Sequence, residues 1–267
     1  DDPALDLEKS ERWSASIYGK VREYSGTIRR SIADALVLLA VHGSKVFRGD
    51  CAANVEWQIS SLVSRLLKDR DARAWLSQQN DLPCYAEAAP DTFLGIVEEE
   101  LKKTSSAIDR LFEPADSGAF SSCDRTGLLW ALEVLAWNPT RLNRVILILA
   151  ELCRYRIEDN WVNKPAGSIQ DILLSWRPHT MATLEQRLDV LENLCSEYPA
   201  IGWAFCTREI DNGMDSTSGT YKPRWRDETN ENDRAPTPKD SFDFRRKCLD
   251  LVLAWPAFDC EKLKGLV

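Results

Sequence analysis

"GLLWALEVLAWNP", residues 127–139, is the stretch that decides the fold, because its pattern is helical and almost entirely apolar. Its only charged residue is Glu133, and Pro139 ends it. One apolar stripe at helical spacing consists of Leu128, Ala131, Leu132 and Leu135, and a second consists of Trp130, Val134 and Trp137. A helix that is apolar nearly all round is buried on more than one side. The stretch therefore predicts the inner helix of stacked helix pairs.

Two tryptophans in this stretch allow two interpretations. The simpler one is that Trp130 and Trp137 both fill space between helical layers, since large aromatic side chains dominate core burial. The alternative is an aromatic cage that holds a ligand. The same two interpretations apply to Trp176 and Trp203.

Helical patterning extends in both directions from residues 127–139. In residues 27–47 the side chains predicted to face the core are Ile28, Ile32, Ala35, Leu36, Leu39 and Val46. Further helices are predicted in residues 54–69, 71–81, 89–103, 141–153, 168–176 and 183–199, with another beginning at residues 200–206 and one from residue 242 onward. The expected N-caps are Asn54, Asp71, Ser168 and Thr183, the last in a capping box with Gln186.

Short helices separated by proline-containing turns, without a convincing strand pattern, predict an all-α protein. We expect antiparallel helix pairs stacked as an α-solenoid with irregular TPR/HEAT-like repeats. No strict sequence period is present, so the TPR and ankyrin consensus patterns are not met. Residues 1–267 are expected to form a single helical-repeat fragment of a longer protein, since the chain begins without Met and ends in the apolar "LKGLV".

Charge and cysteine content restrict the class of protein. The formal net charge is −8, which argues against a non-specific binder of the nucleic-acid backbone, because that activity rests on clustered lysine and arginine. No apolar run reaches the roughly 18 residues of a membrane span, and we expect no membrane contact. The eight cysteines include no CxxC pair, which indicates reduced thiols and a cytoplasmic protein.

Residues 211–240 interrupt the helical pattern with almost no aliphatic side chains. A loop of this length is usually functional or disordered, and we expect it to be mobile or loosely attached. The candidate binding residues in its "YKPRWR" segment are Tyr221, Lys222, Arg224, Trp225 and Arg226. Such a mixture of cations and stacking rings suits single-stranded nucleic acid. The alternative is that Trp225 pins the loop onto the helices and the arginines pair with Asp227, Glu228 and Glu231.

The sequence contains no recognisable catalytic motif. A P-loop, a GxGxxG after a strand, an HExxH and a GxSxG are all absent. His179 lies at a predicted helix-to-helix turn, and as a general base it would need a partner that the sequence does not identify. Hydrogen bonding within that turn is the simpler role, and the cysteine spacings match no usual zinc pattern. We therefore expect no enzyme activity, no catalytic residue, no metal and no cofactor.

Several blocks of the sequence resemble one group of known proteins. The blocks are "AEAAPDTFLGIVEEEL" (86–101), "GLLWALEVLAWNPTRLNRVILILAEL" (127–152), "SIQDILLSWRPHTMATLEQRLDVLENL" (168–194) and "KPRWRD" (222–227). Over residues 80–255 the chain resembles large, mostly uncharacterised bacterial proteins that are similar to the antiviral STAND NTPases. In those, an effector and an NTPase module precede a helical-repeat sensor. The resemblance implies a sensor segment that recognises a phage protein, with any NTPase activity elsewhere.

Two functions from different classes follow. The first is a non-catalytic helical scaffold whose partner is another protein or another domain of the same parent protein. The second is a nucleic-acid contact module centred on residues 221–226, and a hydrolase using His179 ranks third. A continuous basic groove would favour nucleic acid, whereas a mixed surface would favour protein. Such a groove would join Lys222, Arg224 and Arg226 to Arg29, Arg30 or Arg154.

Overall fold

The computed structural model describes residues 2–47, 50–114, 122–211, 217, 219–229 and 236–256, with the side chains of residues 50–53 left out. Within these ranges the protein is all-helical, without a strand, as the sequence predicts. No helix in the described ranges is long and apolar enough to cross a membrane. The predicted apolar end at residues 263–267, and parts of the predicted loop at 212–216, 218 and 230–235, lie outside the described residues.

Eleven α-helices lie in the described residues. They are α1 (Gly26–Val46), α2 (Asp50–Leu67), α3 (Ala72–Gln78), α4 (Leu82–Ala88), α5 (Pro90–Leu101), α6 (Thr126–Ala136), α7 (Pro139–Leu152), α8 (Pro165–Leu173), α9 (Leu184–Glu197), α10 (Pro199–Asp211) and α11 (Pro238–Leu253). Five of them begin at a proline, which fits the first turn because its missing N–H would have no partner there. Two 3₁₀ turns, Pro3–Asp6 and Lys9–Ser14, precede α1.

Contacts divide the chain into two compact units. The first comprises the described residues of Asp1–Leu135, Tyr155–Lys164 and Pro223–Arg226. The second comprises those of Ala136–Arg154, Pro165–Lys222 and Asp227–Val267. The predicted loop is therefore divided, since residues 223–226 belong to the first unit and the segments on either side to the second.

In the first unit, α1 packs against α2 and α4, and α5 packs against the same two helices. The buried face of α6 matches the first stripe of the sequence, because Leu128, Ala131 and Leu132 are all fully buried. The second stripe is only partly buried, since Trp130 is 39% exposed. The prediction that Trp130 fills the core is therefore wrong.

An internal salt bridge ties residues 155–164 to the start of α6. The buried Arg125 guanidinium donates from Nη1 and Nη2 to the two carboxylate oxygens of Asp159, at 2.8 and 2.6 Å. Its Nε donates to the carbonyl of Asn163 at 2.7 Å. A bidentate arginine–carboxylate pair fixes both partners in orientation as well as position. This pair explains how an irregular segment belongs to the first unit.

In the second unit, α7 packs against α8 and α9, and α10 packs against α9 and α11. All the α7 positions predicted to face inward are buried: Leu142, Val145, Ile146, Leu149 and Leu152. The capping box of Thr183 and Gln186 at the start of α9 is present with both hydrogen bonds. In the described part of the segment predicted to dock from residue 242 onward, α11 packs on the preceding helices, with Phe244, Cys248 and Val252 fully buried.

Other local predictions are corrected by the structure. Asn54 lies inside α2 and Ser168 inside α8, so neither is an N-cap. In both cases the helix begins earlier than the apolar pattern does, at Asp50 in α2 and at Pro165 in α8. Trp176 is 38% exposed, which contradicts its prediction as core filler.

Candidate functional site

Two of the predicted binding residues lie in the second unit, around Trp137. The carbonyl of Tyr221 accepts a hydrogen bond from the indole Nε1 of Trp137 at 3.2 Å. The ammonium of Lys222 lies 5.0 Å from the centroid of the same ring, which is a cation–π distance. Because Trp137 is only 1% exposed, it is engaged by its own chain and its ring face is not open to a ligand.

The other three predicted binding residues lie in the first unit, where Glu87 holds Trp225 and Arg226 and Asp34 holds Arg224. One carboxylate oxygen of Glu87 accepts the backbone N–H groups of Trp225 and Arg226, at 2.5 and 2.9 Å. The Nε of Arg226 donates to the backbone carbonyl of Glu87 at 2.6 Å. The side chain of Arg224 pairs with Asp34 at 2.9 Å and remains about half exposed. Residues 224–226 are thus attached by specific contacts, which a loosely attached loop would lack.

The charges near Arg224 form a mixed surface. Arg30 and Arg224 both pair with the carboxylate of Asp34, at 3.2 and 2.9 Å. Arg226 is committed to backbone carbonyls and the adjacent carboxylate of Glu87 is nearly fully buried. Around these residues of the first unit, cations and carboxylates alternate, which is the pattern expected for a protein partner. The arginines do pair internally, as the alternative interpretation predicts, but with Asp34 and with backbone carbonyls.

The clearest departure from the sequence prediction is on α1. Four aliphatic residues predicted to face the core, which we name the α1 stripe, are exposed instead: Ile28 (49%), Ile32 (65%), Leu39 (41%) and Val46 (70%). The buried face of α1 consists of Ala33, Leu36, Val37 and Gly43. The prediction was wrong because α1 is apolar on two faces, and the packing against α2 and α4 covers only one of them.

A groove of about 940 Å³ lies beside the α1 stripe, within the first unit. Its apolar lining comes from Ile32, Leu36 and Leu39 of α1 and from Leu62 and Leu66 of α2. The two helices approach closely where Gly43 faces Val55, since a Cβ at Gly43 would lie 2.7 Å from a Val55 methyl group. The groove is therefore built on a tightly packed helix pair.

Four arginines also line this groove, and we name Arg22, Arg29, Arg70 and Arg73 the arginine rim. Three of them hold carboxylates of this chain, in the pairs Arg22–Asp2 (2.5 Å), Arg29–Asp81 (2.8 Å) and Arg73–Asp6 (2.7 Å). The fourth, Arg70, donates from Nε and Nη2 to the carbonyl of Arg65, at 3.0 and 2.9 Å. No carboxylate in the described residues pairs with Arg70, so one exposed cation at the groove is available to a partner.

Buried polar groups elsewhere form structural networks. In the second unit, the fully buried Glu209 accepts hydrogen bonds from Gln170 Nε2 at 2.8 Å and from the backbone N–H of Ser175 at 3.0 Å. Burial raises the pKa of Glu209, while its hydrogen bonds with Ser175 and the charge of Arg245 oppose that shift. This carboxylate links α8, α10 and α11. Because Glu209 is fully buried, a substrate could not reach it.

His179 and the described cysteines are buried or half-buried within the helical packing. His179 is 3% exposed, and its backbone N–H donates to the carbonyl of Ile172 at 3.0 Å, which fits the predicted role in a turn. Six cysteines are free thiols in the described part of the chain, and burial raises the pKa of Cys84 and of Cys153 to about 11. Such thiols are poor nucleophiles at neutral pH. The described residues hold no group of three potential metal ligands.

Comparisons with protein families, with curated proteins and with solved structures found no match to this chain.

Sequence reasoning missed both the groove and Glu87. Apolar periodicity identified the α1 stripe but assigned it to the core, because exposed and buried stripes have the same spacing. Glu87 lies in "YAEAAP" without a pattern that marks it as a binding partner of residues 225 and 226. The one available signal was the pair of apolar faces on α1, of which the packing against α2 and α4 covers only one.

Proposed function

We propose that this chain is a non-catalytic helical scaffold that binds another protein, or another domain of its parent protein, through the groove beside the α1 stripe. The single observation that carries the proposal is the exposure of the α1 stripe, where four large aliphatic side chains are 41–70% exposed along one helix. Contiguous exposed apolar surface on a folded protein marks an interaction site more often than chance. A polar rim around an apolar centre is the usual anatomy of a protein interface.

A protein partner is favoured over nucleic acid by the pairing of the arginines. Nucleic-acid binding by a groove rests on cations that neutralise successive phosphates. Here Arg22, Arg29 and Arg73 already hold carboxylates of this chain, and Arg30 and Arg224 share Asp34. Phosphates would have to displace these carboxylates, whereas an apolar protein surface can cover the groove and leave them in place.

The architecture that suits this function is a stacked array of helices. We propose that α7 to α11 form part of an α-solenoid, since α7 contacts α8 and α9, and α10 contacts α8, α9 and α11. The resemblance to sensor segments of STAND-like bacterial proteins supports a role in antiviral defence, with a phage protein as the partner. Free thiols in the described residues support a cytoplasmic location for this role.

Site-specific photo-crosslinking in cells that make the protein tests the proposal. A photoreactive amino acid at position 32, in the groove, should crosslink to one defined polypeptide, identified by mass spectrometry. The matched control places the same group at Val162, which is 87% exposed in the first unit but does not line the groove. Equal labelling from both positions, or a crosslinked product that nuclease removes, would overturn the proposal, the second outcome in favour of the nucleic-acid alternative.

A further inference from the structure

Three thiols of the second unit lie together where α9, α10 and α11 pack against one another. Cys195 on α9 and Cys206 on α10 have their sulfur atoms 4.0 Å apart. Cys206 also has a hydrogen-bond contact with Cys248 of α11. Cys206 and Cys248 are fully buried, whereas Cys195 is half-buried. Cys195 is therefore the thiol of this group that a small molecule from solvent can reach.

The lack of a side chain at Gly202 allows Cys195 and Cys206 to come this close. A Cβ at Gly202 would lie 2.7 Å from the Cα and 2.8 Å from the Sγ of Cys195, so the backbone of α10 itself contacts α9 there. Cys206 follows Gly202 by four residues and lies on the same face of α10. The close approach of the two helices thus places a cysteine of each side by side.

A disulfide requires only a small movement from this arrangement. Bonded sulfur atoms lie about 2 Å apart, so the sulfur atoms of Cys195 and Cys206 need to approach each other by about 2 Å. Rotation of a cysteine between staggered positions about its Cα–Cβ bond moves the sulfur on this scale while the helix backbone stays in place. The hydrogen bond with Cys206 and burial raise the pKa of Cys195, so the unmodified pair is protonated at neutral pH.

We propose that Cys195 and Cys206 are a site of reversible oxidation, at which hydrogen peroxide produces a disulfide that locks α9 to α10. The thiolate of Cys195 attacks one peroxide oxygen and the O–O bond breaks, which leaves a sulfenic acid. The departing hydroxide takes the proton that Cys195 released and leaves as water. The sulfur of Cys206 then attacks that of Cys195, the S–O bond breaks, and hydroxide leaves with the proton of Cys206 as a second water. Two thiols have then given two electrons to one peroxide.

The disulfide acts on a helix that contacts most of the second unit. α10 packs against α8, α9 and α11, and its Glu209 accepts hydrogen bonds from Gln170 and Ser175. A covalent bond from Cys206 to α9 adds a fixed attachment to these contacts and restricts separation of α9 from α10. This inference is independent of the proposed function, because the α1 stripe lies in the first unit.

Peptide mapping of the full chain after treatment with hydrogen peroxide tests the inference. Trypsin cleaves after Arg187 and Arg208, and the resulting peptide contains both cysteines of the pair and no other. The disulfide makes this peptide lighter by two hydrogen atoms and prevents its alkylation in denaturant. Further cleavage after Glu197 should give two peptides joined through sulfur, which dithiothreitol separates.

Three variants distinguish this pair from the other thiols. Cys206→Ser should leave Cys195 as a sulfenic acid that dimedone labels, because the second thiol is absent. Cys195→Ser should protect Cys206 from oxidation, since Cys206 is fully buried. The matched control is Cys153→Ser, at a half-buried thiol of the same unit, which should form the disulfide at the wild-type rate. Circular dichroism confirms that each variant is folded.

Hydrogen exchange measures whether the disulfide locks the two helices. Exchange of the α9 and α10 amides should slow by about tenfold or more after oxidation, as expected for a cross-link that closes a short loop, and should recover with dithiothreitol. Unchanged exchange would overturn the locking. A disulfide of Cys206 with Cys248, a disulfide between two chains, or wild-type Cys195 that dimedone labels without a bond to Cys206 would overturn the site. The crosslink from position 32 decides the proposed function whichever of these results is obtained.

Discussion

Removing the ring of Trp137 should destabilise the protein far more than removing that of Trp130. Trp137 is 1% exposed, and its indole N–H donates to the carbonyl of Tyr221. Trp137→Ala would leave a cavity and an unpaired carbonyl, at a cost of about 3–5 kcal/mol in the free energy of unfolding. Trp130 is 39% exposed, so water fills the space after Trp130→Ala. Without the cavity contribution, that cost falls to about 1–2 kcal/mol.

Urea unfolding followed by far-ultraviolet circular dichroism measures both costs under the same conditions. Trp137→Phe is an informative third variant, because it keeps an aromatic ring in place and removes the donor to Tyr221. It should cost about 1 kcal/mol for the hydrogen bond, in addition to any loss of packing. Equal free energies of unfolding for Trp130→Ala and Trp137→Ala would refute the reasoning, since they would show that the two rings are equally buried.

The remaining predictions concern buried polar groups and thiols. Glu87→Ala should speed tryptic cleavage at residues 224–226, because the backbone N–H groups of Trp225 and Arg226 lose their acceptor. Glu87→Gln keeps an acceptor oxygen at this position, so trypsin should cleave that variant at the wild-type rate. Glu209 has a pKa raised above its ordinary value of 4.5, so the folded state binds a proton that the unfolded state has lost and stability should fall as pH rises above that value. Thermal melts should show this decline in wild type and a flatter profile in Glu209→Gln; an equal slope in both would contradict the assignment. Burial raises the pKa of Cys84 and of Cys153 to about 11. At pH 8 both thiols should therefore be alkylated at least about tenfold more slowly in the folded protein than in the denatured chain, as measured by peptide mass spectrometry. Equal rates would place these thiols at the surface.

Local sequence signals predicted the helices well where the signal is itself local. The Asp71 cap and the capping box at Thr183 are both present in the structure. Each depends on residues three or four positions apart, whose chemistry the sequence contains in full. The inward face of α7 was also predicted correctly, because one clear apolar stripe alternates there with arginine and asparagine.

The candidate site depended on contacts between distant residues and was predicted less well. The five candidate residues at 221–226 were identified as a group, but the attachment of Trp225 and Arg226 to Glu87 spans more than 130 residues. Neither partner carries a local pattern that specifies the other. The arginine rim similarly draws Arg22 and Arg73 together through Asp2 and Asp6, a pairing that only the folded chain defines.

The exposed α1 stripe also sets the scale of affinity to expect from the groove. Fully burying an aliphatic side chain contributes about 1.5–3 kcal/mol. Because the four residues of the stripe are already partly buried, covering them contributes about half of that each, or roughly 3–6 kcal/mol together. A partner that buries an equal apolar face doubles the gain, and association costs at least about 4 kcal/mol in lost freedom. The balance corresponds to micromolar or weaker binding, so the apolar groove alone provides reversible contact.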